Sequence, residues 1–377
     1  MLPRLWKDAI VVPLHKGGAK DVLVNYRPVS LTSIGCKLME RIIANYIRRE
    51  IEKKQWLTKG QHGFRKGHSC ETQLLGLIEE ISEVLDRGGE VDGVFVDFEK
   101  AFDKVQHSKL MKKVDFLIED KRVVRWVSEF LKQRRQRVRV GEEYSEEADV
   151  TSGVPQGSVL GPLLFIIYIN DIEEGMKSKV RLFADDCIIY REIRSNEDED
   201  KMQGDLGKLG EWIVINELNV NVGKCKWVRF TRKREEQKKE YLYLLRGENL
   251  ERVCKYKYLG VWIEERLLWG DHINVICKKG KKLVNLVMRG LKGSSKKVKE
   301  MAYKSLVRPG IEYAGAAWDP YMKKDIEEVE KVQKWAARRV EGKYERWGEK
   351  CIRGDALVKN LGNTSRKKEG DETVQFL

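Results

Sequence analysis

The sequence has no long apolar run and no closely spaced set of cysteines or histidines. Its longest strongly apolar stretch, Leu163 to Ile169, is far shorter than the ~20 residues that a membrane-spanning helix requires. No two of the 7 cysteines stand at Cys-x-x-Cys spacing and the 5 histidines show no ligand spacing, so we expect no zinc site. The scattered cysteines and the absence of a secretory signal predict a cytoplasmic or nuclear protein without a membrane-spanning segment.

Acidic residues are too few to balance the basic ones. The chain carries 73 lysines and arginines against 59 aspartates and glutamates, which gives a net charge of +14. This excess favours a polyanionic partner, and solubility alone is the other explanation. Because no apolar stretch could span a bilayer, no membrane partner is expected. The apolar fraction of 41% is ordinary for a globular protein, so the chain can bury a sizeable core.

The apolar periodicity predicts a mixture of helices and strands. Residues 1–30 are expected to form short strands with a turn at Gly17-Gly18. Ser69 is a predicted helix N-cap, and residues 256–263 are predicted to form a strand. An earlier helix is predicted to bury one stripe, formed by Leu38, Ile42, Ile43, Tyr46, Ile47 and Ile51.

Two adjacent aspartates interrupt an apolar run in Arg181-Leu-Phe-Ala-Asp-Asp-Cys-Ile-Ile-Tyr190. Burying a carboxylate costs free energy unless it is paired or binds a metal ion. A tight turn between two strands would place Asp185 and Asp186 at a sheet edge. A second apolar run ends in Asp97, which a neighbouring strand could bring alongside. The alternatives are a plain hairpin turn for the pair and a helix N-cap for Asp97.

Three carboxylates at two strand ends are typical of a divalent metal site. Mg²⁺ prefers oxygen ligands and keeps several waters, so a few carboxylates suffice to hold it. Two such ions about 3.5–4 Å apart can activate an attacking hydroxyl and stabilise a leaving group. In a basic chain, this combination predicts nucleotidyl transfer with two Mg²⁺ ions, for which Mn²⁺ could substitute.

Several sequence blocks carry a family resemblance. In chain order they are Asn25-Tyr-Arg-Pro-Val-Ser-Leu31, Gln61-His-Gly-Phe-Arg-Lys-Gly67, Phe95-Val-Asp-Phe-Glu-Lys-Ala-Phe-Asp103, Ser152-Gly-Val-Pro-Gln-Gly-Ser-Val-Leu-Gly-Pro-Leu-Leu-Phe165, Phe183-Ala-Asp-Asp186 and Tyr256-Lys-Tyr-Leu-Gly260. With these blocks the sequence resembles the reverse transcriptases of non-LTR (LINE-type) retrotransposons, of the jockey or chicken-repeat kind. The likeness runs from about residue 3 to residue 341.

The resemblance implies an α+β fold of the right-hand polymerase type, with fingers, a palm of antiparallel sheet plus helices, and a helical thumb. The implied divisions are fingers at 1–90 with a contribution from 108–150, palm at 91–107 and 151–235, thumb and primer grip at 236–341, and a degenerate, disordered tail at 342–377.

The resemblance also implies an RNA-directed DNA polymerase, which extends a DNA primer on an RNA template with deoxynucleoside triphosphates. Asp97, Asp185 and Asp186 would be the catalytic metal ligands, joined by the backbone carbonyl of Phe98. The chain is expected to be an isolated or truncated polymerase segment. The competing interpretation is an inactive remnant that only binds nucleic acid.

Further residues match family positions around the substrates. Gln156 and Gly157 would contact the incoming base pair, and Phe102 would exclude a ribose 2′-hydroxyl unless it is simply a core residue. Lys16 and Arg27 would bind the triphosphate.

The remaining matches concern the leaving group and the nucleic acid. Lys224 would protonate the leaving pyrophosphate. The family positions that would contact template and primer are Arg65, Lys66, Tyr258, Leu259 and Gly260. A stretch of nine basic residues without an acid, from Lys278 to Lys299, would follow the phosphates of the duplex.

Overall fold

The computed structural model describes residues 2–233 and 241–342, which belong to two units. The first unit is Met1–Cys254 and the second is Lys255–Leu377. The tail predicted at 342–377 lies outside the described residues except for Gly342. The division into fingers, palm and thumb remains a prediction.

The first unit contains twelve of the described strands and seven of the described α-helices. The strands are β1 (Asp8–His15), β2 (Tyr26–Leu31), β3 (Glu90–Val96), β4 (Arg134–Val140), β5 (Glu143–Tyr144), β6 (Ala148–Val150), β7 (Lys179–Phe183), β8 (Asp186–Ile193), β9 (Lys226–Phe230), β10 (Leu244–Leu245), β11 (Glu248–Asn249) and β12 (Glu251–Arg252). The helices are α1 (Arg4–Lys7), α2 (Ile34–Lys53), α3 (Cys70–Asp86), α4 (His107–Leu117), α5 (Lys121–Leu131), α6 (Gly161–Ile169) and α7 (Asn196–Ile215).

The central sheet of this unit has the strand order β12-β9-β3-β8-β7. Strand β3 lies in the middle and is buried from Val91 to Val96. It pairs antiparallel with β8 on one side and with β9 on the other. A strand that is covered on both faces needs a nearly continuous apolar sequence, which explains why the residues before Asp97 lack the alternation of an exposed strand.

One charged side chain inside this sheet has a complete set of partners. Asp92 of β3 accepts hydrogen bonds from Arg229 of β9, at 2.8 Å from Nε and 2.6 Å from Nη2. The same Nη2 donates to Glu199 of α7 at 2.6 Å, and the hydroxyl of Tyr243 donates to Asp92. Because buried charges are stable only when paired, this network fixes α7 against the sheet.

A second sheet joins β2, β1, β4 and β5 in that order, with β6 also paired to β4. Strands β1 and β2 pair antiparallel on either side of the predicted turn, where Gly17 and Gly18 both have positive φ. Strand β4 runs parallel to β1 on its other side. This sheet therefore carries the positions of Lys16 and Arg27.

The buried stripe predicted for α2 is partly wrong. Leu38 and Ile42 are 59% and 62% exposed. The helix buries Cys36, Glu40, Ile43, Ala44, Ile47 and Ile51 instead. Glu40 can occupy this face because its carboxylate accepts the backbone N–H groups of Val159 and Leu160, at 2.6 and 2.9 Å, just before α6.

The second unit begins with a β-hairpin and continues with helices. Residues 256–263 do not form the single predicted strand, because β13 (Lys255–Tyr258) and β14 (Val261–Glu264) pair antiparallel around a turn. Its α-helices are α8 (Gly270–Gly290), α9 (Lys296–Ala302), α10 (Arg308–Ile311), α11 (Gly315–Trp318) and α12 (Lys323–Glu341). Among the described residues of the whole chain, no helix is long and apolar enough to cross a membrane.

Candidate active site

Three acids meet at one edge of the central sheet. Strand β3 pairs with β8 through Val96 and Cys187, so Asp97 and Asp186 occupy the next positions of the two strands. Facing residues of antiparallel strands have Cα atoms about 4.5–5.5 Å apart. Asp185 lies in the two-residue turn between β7 and β8, because Phe183 pairs with Asp186. The register therefore brings Asp97, Asp185 and Asp186 together.

Burial and mutual repulsion disfavour the ionised forms of these acids. Burial raises the pKa of Asp97 and of Asp185 above the ordinary range, and the charge of Asp97 adds to the effect on Asp185. Burial, followed by the charges of Asp185 and Asp97, raises the pKa of Asp186 to about 6. Asp186 is itself exposed to solvent, so solvent screens part of this repulsion. A bound cation would remove much of this repulsion.

The donor set fits a divalent metal ion by its chemistry. Carboxylate oxygens in a repulsive cluster are the ligands that Mg²⁺ prefers. As the side chains stand, however, no group of three or more His, Cys, Asp or Glu residues in the described part of the chain is arranged to hold a metal ion. The backbone brings the three acids to one edge, and holding a metal ion there would require the side chains to turn.

The backbone around Asp97 is tied to the segment before β9. The carbonyl of Asp97 accepts the N–H of Asn221 at 2.9 Å, and the N–H of Glu99 donates to Asn219 at 2.8 Å. These two bonds flank the bridge between Phe98 and Val220 and leave the Phe98 carbonyl out of it. The predicted metal ligand on the Phe98 backbone is therefore not consumed by this pairing.

The same connection brings Lys224 to the acids. Lys224 is exposed, and its charge lowers the pKa of Asp97, as does that of Lys16. The neighbouring Cys225 is buried, and its sulfur accepts the N–H of Asp97 at 3.3 Å. No local feature of the sequence signals this role of Cys225, because its partner Asp97 is 128 residues away in the chain.

Lys16 and Arg27 lie on the edge of the second sheet and are both exposed. Arg27 pairs with Leu14 across β1 and β2, and the N–H of Lys16 donates to Asn25 at 2.7 Å. Burial raises the pKa of Asp185, and the positive charges of Arg27 and Lys16 offset part of this rise. The structure thus places both predicted cations within electrostatic range of the acids.

Phe102 packs against other aromatic rings and also keeps accessible surface. Its ring stacks on Phe165, with centroids 4.2 Å apart and planes at 19°, and meets Phe64 edge-on at 6.4 Å. The side chain is nevertheless only partly buried. The core therefore fixes the orientation of a ring that keeps one accessible part.

Gln156 and Gly157 belong to a turn that is pressed against two other segments. The side-chain amide of Gln156 donates to the Asp103 carboxylate at 3.0 Å. The backbone carbonyl of Gln156 accepts the N–H of Ser30 at 2.6 Å. Gly157 has a φ of +113°, and a Cβ there would lie 2.5 Å from the Ser30 carbonyl oxygen. A pocket of about 400 Å³ opens beside Gln156, Asp103 and Lys100.

The two cations of the basic loop after Gln61 differ in exposure. Arg65 is partly buried and donates to the Thr58 carbonyl at 3.1 Å, which braces the loop itself. Lys66 is exposed. Of the two residues predicted to contact the template, Lys66 is the one that the loop leaves at the surface.

The predicted primer-contacting residues lie together in the second unit. Tyr258 is buried, whereas Leu259 and Gly260 form the turn between β13 and β14, with φ of 46° and 89°. The hydroxyl of Tyr313 donates to the Leu259 carbonyl at 3.0 Å. A Cβ on Gly260 would lie 3.2 Å from the Tyr313 ring, so the turn rests on that side chain.

Comparisons with known proteins agree with this arrangement. Residues 14–263 match the family model of the reverse transcriptase (RNA-dependent DNA polymerase). The chain is 30% identical over 351 residues to the probable RNA-directed DNA polymerase from transposon BS of Drosophila melanogaster, over 90% of this chain and 38% of that protein. It is 27% identical to the RNA-directed DNA polymerase from mobile element jockey of Drosophila funebris, over 97% of this chain and 41% of that protein.

The fold comparison points the same way. The structure of apo telomerase from Candida tropicalis matches with a TM-score of 0.51 and 10% identity, over 94% of this chain and 59% of that chain. This likeness supports the α+β polymerase fold predicted from the sequence. The chain spans only 38–41% of the length of the two retrotransposon proteins named above. Because the family model covers residues 14–263 and both relatives are RNA-directed DNA polymerases of mobile elements, the chain belongs to the reverse transcriptase family.

Proposed function

We propose that this chain copies an RNA template into DNA by extending a primer with deoxynucleoside triphosphates. The observation that carries the proposal is the register of β3, β8 and β7, which puts Asp97, Asp186 and Asp185 at one sheet edge. Burial, together with the charges of Asp185 and Asp97, raises the pKa of Asp186 to about 6, and a bound cation would oppose this rise.

Asp97, Asp185, Asp186 and the Phe98 carbonyl would hold two divalent ions, with Mg²⁺ as the natural choice. When bound, such ions polarise the attacking 3′-hydroxyl and offset charge on the departing pyrophosphate. The protein otherwise contributes position and positive charge, as is usual in phosphoryl transfer.

The cations around the acids would act on the triphosphate. Lys16 and Arg27 are exposed at the sheet edge and would bind its phosphates, which stabilises charge that develops on the leaving group. Lys224 lies within electrostatic range of Asp97 and would supply the proton that the pyrophosphate takes up.

Other residues would select the nucleotide and hold the nucleic acid. Phe102, held by its stack on Phe165, would clash with a ribose 2′-hydroxyl. Gln156 and Gly157 would contact the new base pair. The residues proposed for template and primer contacts are Arg65, Lys66, Tyr258, Leu259 and Gly260.

Primer extension tests this function directly. The purified chain is given an RNA template, a DNA primer, Mg²⁺ and either deoxynucleotides or ribonucleotides. We expect extension with deoxynucleotides, and we expect Asp185→Asn to lower the rate at least about 100-fold, because one metal ligand is lost. Glu211→Gln removes an exposed acid of α7 as the matched control and should leave the rate unchanged.

Two outcomes would contradict the proposal. Extension that survives Asp185→Asn would show that the acids at the sheet edge do not carry the chemistry. A folded protein that binds the template–primer but incorporates no nucleotide with Mg²⁺ or Mn²⁺ would instead support the inactive remnant.

A further inference from the structure

The turn that carries Asp185 has an unfavourable backbone. Ala184 has a φ of 56°, which lies in the left-handed region that residues other than glycine rarely adopt. Such a conformation persists only where the surroundings hold it in place. The surroundings of Ala184 therefore decide where Asp185 and Asp186 stand.

Gln61 supplies a hydrogen bond to this residue. Its side chain is fully buried, and its Oε1 accepts the N–H of Ala184 at 3.2 Å and the N–H of Gly63 at 2.8 Å. Because both partners are N–H donors, the amide atom that faces them has to be the oxygen. One side-chain atom thus joins the loop to the first residue of the turn.

The backbone on either side of Gln61 adds to this contact. The N–H of Leu182 donates to Gly60 at 2.9 Å, and the N–H of His62 donates to the Leu182 carbonyl at 2.8 Å. Gln61 forms a parallel bridge with Leu182. The loop therefore lies alongside β7 and ends level with the turn.

Two glycines permit this close approach. A Cβ on Gly60 would lie 2.2 Å from the Val180 carbonyl oxygen. A Cβ on Gly63 would lie 2.3 Å from the backbone nitrogen of Ala184. Any other residue at these positions would push the loop away and withdraw Gln61 from the turn.

The other end of the Gln61 amide is not satisfied. Its Nε2 is buried and has no hydrogen-bond partner among the described residues. A buried donor without a partner costs free energy that an apolar side chain of similar size would avoid. An amide at this position is therefore unfavourable unless its oxygen is needed.

We propose that Gln61 is a positioning residue for the Ala184–Asp185 turn. It holds Ala184 in the left-handed conformation, so that Asp185 and Asp186 stand beside Asp97. Gln61 does not contact the reacting atoms itself. Its consequence for catalysis rests on the proposed function, whereas its effect on the turn does not.

The test replaces the amide by a side chain of similar length that cannot accept a hydrogen bond. In Gln61→Met, we expect the amide of Ala184 to exchange with solvent at least ~10-fold faster, while the amides of β3 keep their rates. Mn²⁺ binding to the protein alone, followed by electron paramagnetic resonance, should weaken ~3–10-fold. The principle is that an amide exchanges at the rate at which its local structure opens.

Gln73→Met provides the matched control, because Gln73 is an equally buried glutamine on α3. If it changes Ala184 exchange and Mn²⁺ affinity as much as Gln61→Met does, the effect is a general loss of packing and the proposal fails. If Gln61→Met does not fold, Gln61→Asn keeps the polarity but withdraws the oxygen, and the same two measurements decide.

A second substitution separates holding from packing. Ala184→Gly makes the left-handed conformation accessible without strain. Added to Gln61→Met, it should recover at least half of the lost Mn²⁺ affinity, and no recovery would overturn the proposal. Faster exchange of Ala184 in a protein that incorporates no nucleotide would leave the positioning role standing and refute the proposed function.

Discussion

Gly157 is constrained both by its own backbone conformation and by its neighbours. Its φ of +113° lies in a region open mainly to glycine, and the Ser30 carbonyl stands 2.5 Å from where a Cβ would be. The adjacent Gln156 accepts the N–H of Ser30 at 2.6 Å. The turn therefore fastens β2 to the segment that leads into α6, and a single methyl group would force the two apart.

Gly157→Ala should destabilise the first unit by about 2–6 kcal/mol. Strain at positive φ and overpacking each contribute roughly 1–3 kcal/mol. Urea unfolding measures the change in stability. Because Gln156 would move with the turn, the KM for the deoxynucleotide should rise more than kcat falls.

Gly207→Ala is the control for this substitution. Gly207 lies inside α7, and a Cβ there would meet nothing within 4 Å. Alanine should therefore stabilise the helix by about 0.5–1 kcal/mol. If the two substitutions had the same effect, the close approach of Gly157 to Ser30 would be disproved.

At the residue scale, the sequence revealed the acids but not their support. Asp97, Asp185 and Asp186 stand out because each ends or interrupts an apolar run, which is a local signal. The role of Gln61 could not be read from the sequence, because its partner Ala184 is distant in the chain. Every glutamine has an amide oxygen that can accept a hydrogen bond, so the residue type alone gives no signal. Its place between Gly60 and Gly63 was the only local sign of a close approach.

At the scale of elements, α2 shows why periodicity alone can choose the wrong face. Leu38 and Ile42 continue the helical spacing of Ile43 and Ile47, yet they are exposed. The buried face includes Glu40, because its carboxylate accepts the two backbone N–H groups that precede α6. A count of apolar residues cannot detect a buried acid whose partners come from another helix.

The hairpin of the second unit was also hidden from the sequence. Its turn residues Leu259 and Gly260 both have positive φ, as the tight type I′ turn requires, but leucine is not a usual turn signal. The hydroxyl of Tyr313, which lies between α10 and α11, donates a hydrogen bond to the Leu259 carbonyl at 3.0 Å. Tertiary contact here overrides the local preference.

His272, near the start of α8, should make the second unit sensitive to acid. Its ring is 2% exposed and lies edge-on to Trp318, with centroids 5.0 Å apart. Burial, with smaller contributions from Lys279 and Lys257, lowers the pKa of His272 from the usual 6.5 to about 4. Between these two values the unfolded chain binds a proton that the folded chain does not.

Stability should therefore fall as the pH is lowered from about 6.5 to about 4, by at most roughly 3 kcal/mol. Chemical unfolding across this range measures the loss. His272→Phe keeps a ring against Trp318 and should remove this part of the pH dependence. His62, whose pKa is also lowered to about 4, is present in both proteins, so their difference isolates His272. An unchanged pH dependence in the variant would contradict burial of a neutral imidazole.

At the scale of the whole molecule, order and charge were the predictable properties. The sequence blocks follow one another as in the family, and the match over residues 14–263 confirms that reading. The excess of basic residues is uneven, since nine of them and no acid lie between Lys278 and Lys299. Which of these basic side chains share one exposed face could be seen only in the structure.

Three of these cations share one face of α8. Lys278, Lys282 and Arg289 are all exposed, and the helix buries Ile276 and Val284 elsewhere on its surface. On a helix with 3.6 residues per turn, spacings of four and seven keep side chains in line. The face therefore presents three positive charges, with the exposed Leu286 between Lys282 and Arg289, and such a face would suit the phosphates of a nucleic acid.

Neutralising this face should reduce the salt dependence of nucleic-acid binding more than it changes the fold. Each phosphate contact releases a counterion, so the slope of log affinity against log salt should become shallower by about 2–3 in the variant that combines Lys278→Gln, Lys282→Gln and Arg289→Gln. Fluorescence anisotropy with an RNA–DNA duplex, from about 50 to 200 mM salt, measures it. Lys331→Gln is the control, because Lys331 already pairs with Glu328 at 2.6 Å and its loss should leave the slope unchanged. A steep slope that the triple substitution does not alter would mean that α8 does not hold the phosphates, since the counterions would then be released at other cations of the chain.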